Sequence, residues 1–207
     1  MKNNFEYADM GFIPSSGGSN VRTKTVQQNI HTIYLDDEIG EPAEYREAMQ
    51  ILEGAQENDI VYLSINSPGG RLDSGLMLIN GIRSCAAPVI GQIHADCGSM
   101  ATGVALACDS WQLGEFAYFF CHTASYGMVG KAQEVRGQAS FMEAYVDKFL
   151  KSMYSGFLST KEIALVSRGE DLWIDRDDLV IRLRAYANTG RRKKNGNSVL
   201  KNVNTKP

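Results

Sequence analysis

The chain has 207 residues, 43% of them hydrophobic and 22% charged, the balance of one globular domain long enough to bury a full core without staples. That excludes a fibre and a wholly disordered chain. The net charge of -3 is uneven: residues 188–207 carry six basic residues and no acidic one, while residues 1–187 carry 15 basic against 24 acidic, a net of -9. An acidic body argues against nucleic acid as a partner, and the short basic end reads as a solvated tail.

Residues 1–27 hold Pro14-Ser15-Ser16-Gly17-Gly18-Ser19-Asn20 and no sustained periodicity, the pattern of a mobile arm. The start of the chain has no apolar stretch of the secretory kind, and the longest apolar runs fall far short of the roughly 20 residues of a membrane helix. The reading is therefore cytoplasmic, with no membrane partner. The domain proper is expected over residues 28–187, with 188–207 as the tail. Strand-like runs at 32–35, 60–65, 88–94 and 117–121 alternate with helical stretches, which predicts βαβ units and a mainly parallel sheet.

The first helix is expected over 42–56, entered through Glu41 and Pro42. A second is marked by Leu72, Leu76, Ile79 and Ile82, one apolar stripe. The third, over 132–153, repeats Val135, Ala139, Met142, Val146, Phe149 and Met153 at alternating steps of four and three, with Phe141 and Tyr145 beside the seam. Its length of about 30 Å suggests that it packs against another subunit as well as its own core. Ser159-Thr160-Lys161-Glu162 forms a capping box flanked by Leu158 and Ile163, opening a short helix that stops near Gly169. Asp175 heads a last helix. Cys85, Cys97, Cys108 and Cys121 lie in or beside apolar runs without a CxxC pair, so they read as packing residues of a reducing compartment, not as a disulfide framework or a zinc site.

Four segments carry possible chemistry. Asn66-Ser67-Pro68-Gly69-Gly70 is a strand-to-helix turn whose glycines leave backbone amides unshielded; alone it is also an ordinary turn. Gly98-Ser99-Met100-Ala101 puts a serine between a strand and a helix, the place of a nucleophile on a sharp turn and equally of an N-cap. His122, directly after an apolar strand, suits a general base or a satisfied core residue. His31 and His94 compete with it on spacing alone. Among Glu170, Asp171, Asp175, Asp177 and Asp178, most read as caps and first-turn charges, and one is available to orient a histidine.

In this order the segments resemble the Clp protease proteolytic subunit family of ClpP-like serine peptidases, over about residues 32–184. Ile65-Asn66-Ser67-Pro68-Gly69-Gly70 is similar to the family's strand-turn signature, Gly98-Ser99-Met100-Ala101 to its nucleophile segment, and Glu170-Asp171-Leu172-Trp173 to the segment that supplies its aspartate. The long helix resembles the handle through which rings of subunits meet. The resemblance implies an α/β fold, a ClpP/crotonase-like spiral of ββα units with a long protruding handle helix. It implies Ser99 as nucleophile, His122 as general base, Asp171 as its orienter, and the amides of Gly70 and Met100 as the oxyanion hole. No cofactor and no metal are implied.

The implied activity is hydrolysis of peptides or unfolded polypeptides inside a homo-oligomeric ring, heptamer or tetradecamer, with an unfoldase ATPase as a further partner. The alternatives are an inactive ring scaffold, a crotonase-type acyl-CoA enzyme, and a serine–lysine dyad using Lys131. The chain departs from the family after the histidine, where Thr123-Ala124 replaces Gln-Pro, and after Asp171, where Leu172 stands in place of Arg or Thr.

Overall fold

A computed structural model describes residue 25 and residues 27–189; the arm expected over 1–27 and the tail over 188–207 lie almost wholly outside the described residues. The chain runs β1 (Ile30–Leu35), a 3₁₀ turn (Pro42–Tyr45), α1 (Arg46–Gly54), β2 (Ile60–Ser67), α2 (Leu72–Ser84), β3 (Val89–Gly98) and α3 (Met100–Ala107). Then follow β4 (Ser110–Leu113), β5 (Tyr118–Cys121), α4 (Ala132–Tyr154), α5 (Thr160–Ser167), β6 (Leu172–Ile174) and α6 (Arg176–Ala187). Among the described residues no helix is long and apolar enough to cross a membrane.

The strands form one six-stranded sheet in the order β1-β2-β3-β5-β6, with β4 also on β3. All pairs are parallel except β5 with β6. Period-2 alternation decides which face is covered: in β2 Val61, Leu63, Ile65 and Ser67 are buried while Asn66 is exposed, so the odd positions meet the helices. Ten-residue β3 serves two neighbours in succession. Its first half pairs β4 through Ile90 to Ile93, and its end pairs β5 through Asp96 to Gly98. That division brings the end of β5 beside the end of β3.

Helix α3 is buried along its whole length, as its unbroken run of small and apolar residues requires. Gly75 of α2 meets Met100, and Gly103 of α3 meets Met153 of α4, so side-chain-free positions let three helices approach closely. The expected helix over 42–56 divides at Tyr45 (φ -99°, ψ 11°). The Tyr45 hydroxyl accepts the Gly40 amide at 3.1 Å, and Glu44 accepts the Glu41 amide at 3.2 Å; these local bonds hold the first turn tighter than an α-helix. The Ser159–Glu162 capping box forms in both directions, with Leu158 and Ile163 buried beside it. Gly169 takes φ 95° after α5, and all four cysteines are buried and outside any disulfide.

The seam of α4 divides. Val146, Leu150, Met153 and Tyr154 are buried in the subunit's own core, whereas Phe141 and Tyr145 remain exposed in the projecting half, stacked with ring centroids 5.8 Å apart. Strands β4 and β6 escape the sequence pattern because four and three residues are too few to show alternation.

Candidate active site

β3 and β5 end side by side, and the residues just past their carboxyl ends share one opening. Ser99 donates its backbone N–H to the Phe120 carbonyl at 2.7 Å, which fixes the turn after β3 against the last residues of β5. His122 follows that strand by one residue. A cavity of about 630 Å³ is lined by Ser99, Met100 and His122 together with Gly69, Gly70 and Leu72, and by Phe149, Leu150 and Met153 from α4. Ligands of parallel sheets bind at this end, where the chain leaves the strands.

Ser99 occupies the N-cap position of α3 with φ 50° and ψ -123°, and its side chain makes no capping hydrogen bond. Among the described residues it is the one non-glycine with positive φ. Such backbone costs about 1–3 kcal/mol and persists only where the surroundings enforce it. The conformation turns Cβ off the helix axis and frees the hydroxyl from capping. The ordinary N-cap reading of this serine therefore fails, and a presented nucleophile fits.

The turn after β2 packs directly on this elbow. Gly69 (φ 97°) and Gly70 (φ 146°) are both in the positive-φ region, and a Cβ on Gly70 would strike the Ile39 backbone. Ile39 donates to the Gly69 carbonyl at 2.7 Å and accepts from the Arg71 amide at 2.8 Å. Because that bridge uses the groups flanking Gly70, the N–H of Gly70 faces away from Ile39. The N–H of Met100, first in α3, is among those that no intrahelical carbonyl satisfies. Both residues line the cavity.

Of the three histidines, His122 lines the cavity. His94 is exposed on the sheet's uncovered face with Nε2 2.9 Å from the Ser64 hydroxyl, and His31 lies on edge strand β1. The imidazole of His122 stacks on Phe120 at 4.8 Å and 13°, and Phe120 stacks on Trp173 at 4.1 Å. Lys131 opens α4 with its side chain 88% exposed beside Glu134, well suited to solvent and ill suited to a catalytic base.

Asp171 is exposed, does not line the cavity and lies one residue before β6. β5 and β6 pair Phe119↔Ile174, Phe120↔Trp173 and Cys121↔Leu172, where the ladder ends; the same register carried one step past both strands would bring His122 across from Asp171. Directly opposed residues share a face, here the face of Phe120 and Trp173. The sequence suggests that Leu172 and Trp173 enter the core together and carry Asp171 inward. Instead Ile174 is buried and Trp173 is 63% exposed, because alternation sends the two to opposite faces. Asp175 caps α6 by accepting the Asp178 amide at 3.0 Å, and Asp178 pairs with Arg182, so these two carboxylates are committed to the helix.

The alternation Tyr118-Phe119-Phe120-Cys121-His122 was the available signal for the aromatic support of His122. The interlock of Gly69 with Ser99 left no signal, being a contact between turns 30 residues apart.

The family model of the Clp protease matches residues 17–177. The chain belongs to the Clp protease family: its fold is the ClpP-like α/β spiral, and its class at family level is a peptidase. Comparison with curated proteins returns no match.

Proposed function

We propose that this protein is a serine endopeptidase in which Ser99 is the nucleophile, His122 the general base and Asp171 the group that orients it. The observation that carries this reading is the elbow: an uncapped serine hydroxyl on positive-φ backbone, opening into the same cavity as His122. A serine hydroxyl is a weak nucleophile until a base takes its proton. His122 accepts that proton as Oγ attacks the substrate carbonyl carbon, and the carbonyl oxygen becomes an oxyanion between the amides of Gly70 and Met100. His122 then gives the proton to the leaving amine, and a water activated by the same imidazole releases the acyl group. Asp171 holds the tautomer and stabilises the imidazolium. Leu72, Phe149 and Met153 give the cavity apolar walls, which favours an apolar side chain beside the scissile bond.

The substrates are peptides or unfolded polypeptides, and the working form is a homo-oligomeric ring. The exposed Phe141 and Tyr145 on the projecting half of α4 support an interface between copies. No observation favours the inactive scaffold or the acyl-CoA enzyme. The test is labelling by a fluorophosphonate, wild type against Ser99→Ala. The expected result is one labelled serine, Ser99, and none in the variant; labelling that persists in Ser99→Ala overturns the assignment.

A further inference from the structure

Behind Ser99 lies a chain of buried hydroxyls that peptidase chemistry does not require and the reading above leaves unused. The Ser99 carbonyl accepts twice from Thr102, from its amide at 3.1 Å and from its hydroxyl at 2.6 Å. Thr102 Oγ1 is also 2.8 Å from the Tyr154 hydroxyl. A threonine hydroxyl has one proton, and the carbonyl only accepts, so Thr102 donates to Ser99 and Tyr154 donates to Thr102. Both side chains are fully buried, where an unmade hydrogen bond is costly and a made one is held firmly. Tyr154 ends α4, so this chain ties the Ser99 elbow to the end of that helix.

We infer that Thr102 and Tyr154 are positioning residues: the Tyr154–Thr102–Ser99 carbonyl chain locks the positive-φ elbow that presents the Ser99 hydroxyl to His122. The inference rests on the serine peptidase reading. With its N–H on Phe120 and its carbonyl on Thr102, Ser99 has both peptide groups fixed and only its side chain free. Losing the hydroxyl of Thr102 leaves the carbonyl with the amide alone, and the elbow relaxes toward ordinary helix-entry backbone. Such a loss acts on kcat and not on substrate binding, since neither hydroxyl touches the substrate.

The experiment compares wild type, Thr102→Val, Thr102→Ser, Tyr154→Phe and the Thr102→Val/Tyr154→Phe double variant. It reads kcat and KM on a fluorogenic peptide, the rate of fluorophosphonate labelling at Ser99, and amide hydrogen exchange over residues 98–103. Expected is a fall of about 10-fold in kcat and labelling rate for Thr102→Val and for Tyr154→Phe, with KM within 2-fold, faster exchange in that segment, and recovery in Thr102→Ser. The double variant should lose no more than Thr102→Val, because the two act as one chain. Should Thr102→Val fail to fold, Tyr154→Phe, which removes one oxygen, carries the same comparison. Wild-type rates and exchange in the folded single variants overturn the positioning role while Ser99 labelling stands. A lowered melting temperature with unchanged kcat does so as well. A wild type in which Ser99 is not labelled overturns the peptidase reading itself, and the positioning role with it.

Discussion

A methyl group on Gly69 would stand 2.6 Å from Cβ of Ser99 and 2.8 Å from the amide nitrogen of Met100. Real Cβ atoms do not come so close, and Gly69 also sits at φ 97°, so an L side chain there is strained twice over. The turn after β2 is thus the back wall of the elbow after β3. Gly69→Ala is expected to lower kcat/KM by at least about 10²-fold by displacing an oxyanion donor along with the serine. Gly127→Ala, where a Cβ would meet nothing within 4 Å, serves as the control. Steady-state peptide hydrolysis by the two variants checks this; an active Gly69→Ala would mean that the elbow is not held from that side.

Asp171, the proposed orienting carboxylate, and Asp175, the cap of α6, are separated by one pair of variants. Asp171→Asn should lower kcat by about 10²–10⁴ through the wrong imidazole tautomer, with assembly and melting temperature unchanged. Asp175→Asn should cost little, since asparagine also caps and the bond to the Asp178 amide survives. Activity in Asp171→Asn together with loss in Asp175→Asn would overturn Asp171 as the group that orients His122.

Strands β1, β2, β3 and β5, the helices and the places of Ser99 and His122 just past strand ends were legible because each rests on local pattern. Alternation marked the long strands, the four-three repeat marked α4, and Ser159 with Glu162 marked the start of α5. Tyr154 was not legible, since nothing in Met153-Tyr154-Ser155 tells that its hydroxyl ends beneath a serine 55 positions earlier. The exposure of Trp173 was missed for a different reason: hydrophobicity was read as burial, although strand periodicity already assigned it and Ile174 to opposite faces.

A pH dependence of stability follows from Glu162. The Arg182 guanidinium, 2.8 Å away, holds the Glu162 carboxyl down at about 2 from 4.5, and the Ser159 amide and hydroxyl add to this against the cost of burial. A depressed carboxyl stabilises the fold above its unfolded pKa, and that contribution is lost as pH falls from about 4.5 through about 2. Glu162→Gln keeps a side chain that completes the capping box, so it isolates the charge. It should lower stability by about 1–3 kcal/mol at pH 7, with the gap to wild type closing below pH 4.5. Thermal unfolding from pH 7 to pH 2 measures this, and a gap independent of pH would assign the loss to packing.

The proposed assembly through α4 turns on which of its residues are already buried within the subunit. The last two turns bury Val146, Leu150 and Met153 against the subunit's own core, so a charge at Val146 should unfold the domain and says nothing about rings. Phe141 is 65% exposed and Tyr145 38% exposed, one turn apart and stacked at 17°. Burying an aromatic of this size contributes roughly 1.5–3 kcal/mol, and a two-fold interface counts each residue twice. Phe141→Glu/Tyr145→Glu is therefore expected to dissociate the oligomer at micromolar concentration while leaving the subunit folded by circular dichroism. Light scattering on wild type and variant decides it. Peptidase activity should fall with the assembly, because Phe149, Leu150 and Met153 of the same helix line the cavity that holds Ser99 and His122. A dissociated variant with full activity would confine α4's catalytic contribution to the subunit itself, and an intact oligomer would place the contact between copies elsewhere than the Phe141–Tyr145 pair.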